Sequence, residues 1–145
     1  ESLLAMIANS IDTKMFRNAF FVVNEEKKDI LQNGYLSCAV YVSSILFLFK
    51  LLRDIHATVE STTKDLEQST WQKVNEPEVG DVLIWEPILL NSGSTHKHIG
   101  FCIEQDWAIS NSSELGYPIK HHITFGTENN QPVRKIVAIY RHDLE

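Results

Sequence analysis

Cys38 stands where a run of turn-forming residues, Gln32-Asn33-Gly34-Tyr35, gives way to the apolar stretch Ala39 to Phe49. That change of pattern predicts a helix beginning at Cys38, with Ser37 as its N-cap. A cysteine in a first helical turn lies beside free backbone N–H groups and the positive end of the macrodipole, and both favour the reactive thiolate. A thiolate nucleophile needs a base. His98 opens a predicted strand directly after the loop Asn91-Ser92-Gly93-Ser94, so its ring can project from a strand end towards a helix N-terminus. His96 lies two positions earlier on the same strand face and competes for that role. His96 and His98, joined by His121 or Cys38, also suggest a zinc site, but the well-spaced Cys or carboxylate ligands that usually complete one are missing. Cys102 has no sequence neighbour that would stabilise a thiolate and is expected to be reduced and inert.

The elements that must position these residues fall into two halves. Leu3, Leu4, Ile7, Ile11 and Met15 recur at helical spacing within Ser2 to Phe21,. Asn24 to Lys28 reads as a solvated turn or the start of a short helix. The stretch from Cys38 to Phe49 is apolar on nearly every side, which predicts a central helix packed all round. Thr62 to Gln68 is a further short helix, with Thr63 as its cap. After Pro77 the period changes. Val82-Leu83-Ile84-Trp85, His98 to Ile103, Trp107 to Ser110, Ile119 to Phe125 and Lys135 to Tyr140 read as strands,. Helices followed by an antiparallel meander of four to six strands make an α+β plan.

A chain of 145 residues suits one domain, 1–145, with a substantial core,. The formal net charge of -6 and the scatter of the basic residues argue against a nucleic-acid surface,. No stretch approaches the roughly 20 apolar residues that span a bilayer. Two cysteines do not make a disulfide framework, and nothing in the sequence asks for a cofactor,.

Three segments carry a resemblance. Ser37-Cys38-Ala39-Val40-Tyr41-Val42-Ser43 resembles the helix-start cysteine motif of NlpC-type cell-wall cysteine peptidases and amidases, which have a papain-like fold. Val79-Gly80-Asp81-Val82-Leu83-Ile84-Trp85 resembles their Gly-Asp strand, and His98-Ile99-Gly100-Phe101-Cys102-Ile103 their catalytic-histidine strand. The order is the family's, and the resemblance covers Gly34 to Phe125, leaving residues 1–30 outside it. It implies Cys38 as nucleophile, His98 as base, a peptide or amide substrate such as a peptidoglycan stem peptide, and an extracytoplasmic or secreted setting. It also implies a polar third residue on the strand after His98. A two-residue tip at Gln105-Asp106 would turn Asn111 towards His98, and a three-residue tip would turn Ser110. Gln32, six residues before Cys38, has the spacing of the oxyanion-hole glutamine in papain-like enzymes,.

The sequence also departs from that pattern. Ser37 stands where the family carries an Asp, Ala39 where it carries Ser or Gly, and the upstream aromatic-Gly-Gly segment is missing. The Asp is implied to recognise the free amine of a stem peptide, so its loss bears on the substrate. The expected function is therefore a cysteine hydrolase of amide or peptide bonds. A catalytically silent binding module on the same fold and a zinc-binding domain are its alternatives.

Overall fold

The computed structural model describes residues 1–90 and 93–143. Among the described residues three helices, α1 (Ser2–Asn9), α2 (Cys38–Leu48) and α3 (Val59–Gln68), accompany ten strands. Six strands form the main sheet: β3 (Gln72–Val74), β4 (Val82–Leu89), β5 (Thr95–Glu104), β6 (Trp107–Asn111), β7 (Pro118–His122) and β10 (Ile136–Arg141). Their order is β3-β10-β4-β5-β6-β7, and every pairing is antiparallel. The α+β plan thus holds. Two small hairpins complete the chain, β1 (Phe20–Val23) with β2 (Glu26–Asp29), and β8 (Thr127–Glu128) with β9 (Gln131–Pro132). Among the described residues no helix is long and apolar enough to cross a membrane.

Period-2 alternation gives the sheet two buried faces. Val82, Ile84, Ile99, Phe101 and Ile109 pack under α2 with Tyr41, Val42, Ile45 and Leu46, and Leu3 and Ile7 of α1 join the same core. Leu83, Trp85, Cys102 and Ala108 form a second cluster on the opposite face, with Ile123 and Phe125 against it. Helix α2 is less enclosed than its apolar sequence predicts, because Phe47 and Leu48 in its last turn are exposed.

Other elements depart from the sequence pattern for physical reasons. Helix α1 stops at Asn9, and the apolar run Phe20 to Val23 is strand. Asn24 and Glu25 both take positive φ, 52° and 68°, the backbone that a two-residue hairpin turn requires,. Helix α3 begins three residues earlier than expected, because the cap is Thr58, which accepts from Ser61 N–H at 3.1 Å, and not Thr63. The Gly80-Asp81 motif proves to be a clamp. Asp81, almost wholly buried, accepts from Arg141 Nε at 2.9 Å and Nη2 at 2.7 Å, and from Glu78 N–H at 2.7 Å, which ties the end of β10 to the start of β4.

Removing one partner of that clamp strands a buried charge. Arg141→Met is expected to destabilise the protein by about 3 kcal/mol in a denaturant titration. A loss below about 0.5 kcal/mol, the range of an exposed pair, would show that solvent already screens it.

Candidate functional site

Cys38 reaches the site from a loop that one carboxylate organises. Asp29, at the end of β2, accepts from the N–H groups of Ala19, Leu31 and Asn33 and from the Asn18 amide, at 2.6–3.1 Å. Burial acts to raise its pKa, but these donors carry it down to about 2. Gln32, Asn33 and Gly34 turn through positive φ, and Gly34 passes so close to Gly116 that a β-carbon would lie 2.5 Å from the Gly116 Cα. Only glycine fits there. The Asn111 amide donates to Gly34 O at 2.8 Å and pins the loop to β6. The chain then enters α2 at Ser37, whose hydroxyl is buried without a hydrogen-bond partner, so the expected side-chain cap does not form.

Cys38 and His98 line one cavity of about 300 Å³, together with Leu36, Lys97 and Arg134. A second cavity, of about 410 Å³, shares His98 and Arg134 and adds Ser110 and Asn111. A larger one, of about 520 Å³, lies at Asp81 and Arg141, whose charges already satisfy each other. The thiol and the imidazole approach from different sides of β5. Cys38 lies with the core beneath α2 and accepts from Ile99 N–H. The His98 ring packs on the other face, 5.5 Å from Trp85 and 5.7 Å from Phe125. Among the described residues no hydrogen bond joins Cys38 to His98.

His98 Nε2 lies 2.8 Å from Ser110 Oγ, and Ser110 Oγ lies 2.7 Å from His121 Nε2. Of the two residues expected on the strand after His98, Ser110 is the one brought to the imidazole, while the Asn111 amide donates to Gly34 O. The tip is the two-residue Gln105-Asp106, from which alternation alone would select Asn111. A bulge decides otherwise. Cys102 pairs with Ala108 but Glu104 pairs with Trp107, so Ile103 is an extra residue that turns β6 over by one position,. Gly100 makes room, since a β-carbon there would lie 2.7 Å from Ser110 Cβ.

Gln32 is exposed and lines neither of the cavities at Cys38, because the Asp29 turn holds it on the outside of the loop. Its expected oxyanion role has no geometric basis. His96 bonds Ser94 Oγ at 2.9 Å, and no group of three or more His, Cys, Asp or Glu among the described residues is arranged to hold a metal ion. Asn91 and Ser92 of the loop before β5 lie outside the described residues. Cys102 is a free, buried thiol on the face away from α2, and burial, with Asp81 nearby, pushes its pKa up to about 11.

The electrostatics differ from those a helix-start cysteine suggests. Burial pushes the Cys38 thiol up to about 11, although the Ile99 and Ala39 N–H groups and the Arg134 charge all act to lower it. Burial also holds His98 neutral, down to about 3, with Arg134 and His121 adding to the effect. The free chain thus carries a thiol and a neutral imidazole, with no thiolate–imidazolium pair. Arg134 is the residue that sequence reading missed, and His121 figures there only as a zinc ligand. Arg134 donates from Nε to Glu86 O and from Nη2 to His96 O, both at 2.8 Å, where the bulge at Glu86-Pro87 opens the β4–β5 ladder. A lone Arg in the sequence gives no sign of this, but Pro87 within an apolar strand marks the irregularity that it serves.

Compared with known proteins, the chain matches no family model and no curated protein.

A neutral buried imidazole has a thermodynamic signature. The unfolded chain takes up a proton at His98 near pH 6.5, whereas the folded chain does so only near 3,. His98 therefore costs no stability above pH 6.5, and stability falls as pH drops from there towards 3, by up to about 1.4 kcal/mol per pH unit. In urea titrations across that window, His98→Gln is expected to flatten the slope. An unchanged slope would mean that His98 titrates as a solvated histidine.

Proposed function

We propose that the chain is a cysteine-nucleophile hydrolase that cleaves an amide or peptide bond through a thioester, on a papain-like scaffold of the NlpC type. The observation that carries this reading is the meeting of a helix-start cysteine and a hydrogen-bonded, buried histidine at one cavity. Lys97 and Arg134 line that cavity against a single carboxylate, Glu60, in a chain of net charge -6. A local cationic lining in an acidic protein selects an anionic substrate, and a carboxylate-bearing stem peptide of peptidoglycan fits it. Position 37 takes no part in recognition, because Ser37 is fully buried.

In this mechanism the substrate carbonyl docks against the start of α2. His98 takes the thiol proton as Cys38 Sγ bonds to the carbonyl carbon, so the ion pair exists only once substrate is present. The Cys38 N–H, one of the four without an intrahelical acceptor, receives the oxyanion. When the C–N bond breaks, His98 returns the proton to the leaving amine. A water, deprotonated by His98, then attacks the thioester, and the proton passes back to the departing sulfur.

A binding module is the second reading. The raised thiol pKa and the lack of a direct Cys38–His98 hydrogen bond favour it.

Digestion of peptidoglycan stem peptides, followed by mass spectrometry, separates the two. The hydrolase reading expects cleavage that Cys38→Ala abolishes and His98→Gln slows by about 10²–10⁴-fold, with the thermal midpoint of Cys38→Ala preserved. Alkylation of Cys38 in the free protein should rise continuously towards pH 11 with no plateau near neutrality. Absent cleavage, together with alkylation rates that are the same in wild type and His98→Gln, would leave only the binding module.

A further inference from the structure

The hydrogen-bond chain behind His98 ends on a group whose role is fixed. His121 Nδ1 lies 2.8 Å from the His122 carbonyl oxygen, which can only accept, so Nδ1 carries a proton,. Burial lowers the His121 pKa, and a neutral ring with Nδ1–H has a lone pair at Nε2. Ser110 Oγ, 2.7 Å away, must then donate its one proton to His121 Nε2. Having spent it, Ser110 can only accept from the other side, so His98 Nε2, at 2.8 Å, is the N–H donor. A neutral His98 with Nε2–H has its lone pair at Nδ1. Each step follows from the one before, and no other assignment satisfies all three contacts with neutral rings.

We propose that His121 is a positioning residue that acts through Ser110 to hold His98 in the Nε2–H tautomer, leaving Nδ1 as the basic nitrogen. The inference rests on the hydrolase reading only for the use made of that nitrogen; the tautomer follows from the contacts alone. The surroundings are built to keep His121 in place. Its ring stacks on Phe125 at 4.1 Å and 17°, and Phe125 holds a φ of 58°, a conformation that a bulky residue rarely adopts,. Trp85 lies 5.5 Å from both His98 and His121, and its indole N–H is anchored on Ile123 O at 2.7 Å. The relay is therefore framed by the Trp85 and Phe125 rings, which hold both imidazoles in place.

The test reads the tautomer directly, from ring ¹⁵N shifts and long-range couplings of protein labelled at histidine, with His98→Gln assigning the signal. Wild type is expected to show a pyrrole-type Nε2 and a pyridine-type Nδ1 at His98. His121→Leu removes the acceptor and frees the Ser110 hydroxyl to donate to His98 Nε2, so the tautomer should reverse to Nδ1–H. His121→Gln, whose amide oxygen can still accept from Ser110, should keep the wild-type form. Ser110→Ala should leave a mixture, and it carries the test if His121→Leu does not fold. A wild-type His98 protonated at Nδ1, or a tautomer indifferent to both His121→Leu and Ser110→Ala, overturns the relay. Cleavage of a peptidoglycan stem peptide by the same samples addresses the reading beneath it, since the pairing operates only once substrate is present. A reversed tautomer with a tenfold slower reaction supports both, whereas a reversed tautomer at an unchanged rate upholds the relay and overturns the pairing of Cys38 with His98.

Discussion

A histidine can be buried cheaply only if it is neutral and its one N–H has an acceptor, and much of the architecture around β5 follows from meeting that condition at His98. Ser110 supplies the acceptor, and Gly100, with no side chain of its own, lets the serine come close enough. Trp85 and Phe125 pack against both histidine rings. The same burial keeps the ring uncharged at neutral pH, so its lone pair is free to accept a proton at the cavity.

The cysteine side is governed by backbone geometry. A tight sequence of positive-φ residues delivers Cys38 to the start of α2, and the turn survives because Asp29 gathers three backbone N–H groups and one amide. Asn111 joins that loop to β6, the strand that also presents Ser110. Adjacent residues of one strand thus serve the two sides of the site, Ser110 holding the imidazole and Asn111 the loop that carries the thiol. This coupling explains how groups on opposite faces of β5 come to share one cavity.

What the sequence revealed was what periodicity encodes. The helix at Cys38, the strands at Val82, His98 and Trp107, and their antiparallel order were all legible, because a buried face demands a regular apolar spacing. Devices that depend on a single residue were not. The extra Ile103 leaves no trace in an apolar strand, yet it decides between Ser110 and Asn111. The first hairpin was hidden because Phe20 to Val23 extends an apolar helical pattern and its faces are exposed, so alternation has nothing to report. Gln32 matched a spacing, but spacing along a chain says nothing of which way a left-handed turn will point a side chain. Arg134 and His121 are far from Cys38 in sequence; Arg134 reaches the cavity from the approach to β10, and His121 reaches Ser110, behind His98, from β7.

The bulge at Ile103 has a consequence for how such a domain can diverge. A strand buried on both faces normally tolerates no change of reading frame, since sliding by one residue exchanges its two sides. In β6 both members of each consecutive pair suit either side: Ala108 and Ile109 are both apolar, and Ser110 and Asn111 each offer a donor and an acceptor,. Closing the bulge with Ile103 kept, so that Ile103 paired with Ala108, would turn the asparagine to the imidazole face, with no charge driven into either core, whereas deleting Ile103 would leave Cys102 opposite Ala108 and Ser110 in place,. The group beside the imidazole is therefore set by where the ladder breaks, and a one-residue slip of pairing exchanges it without a substitution at either position,.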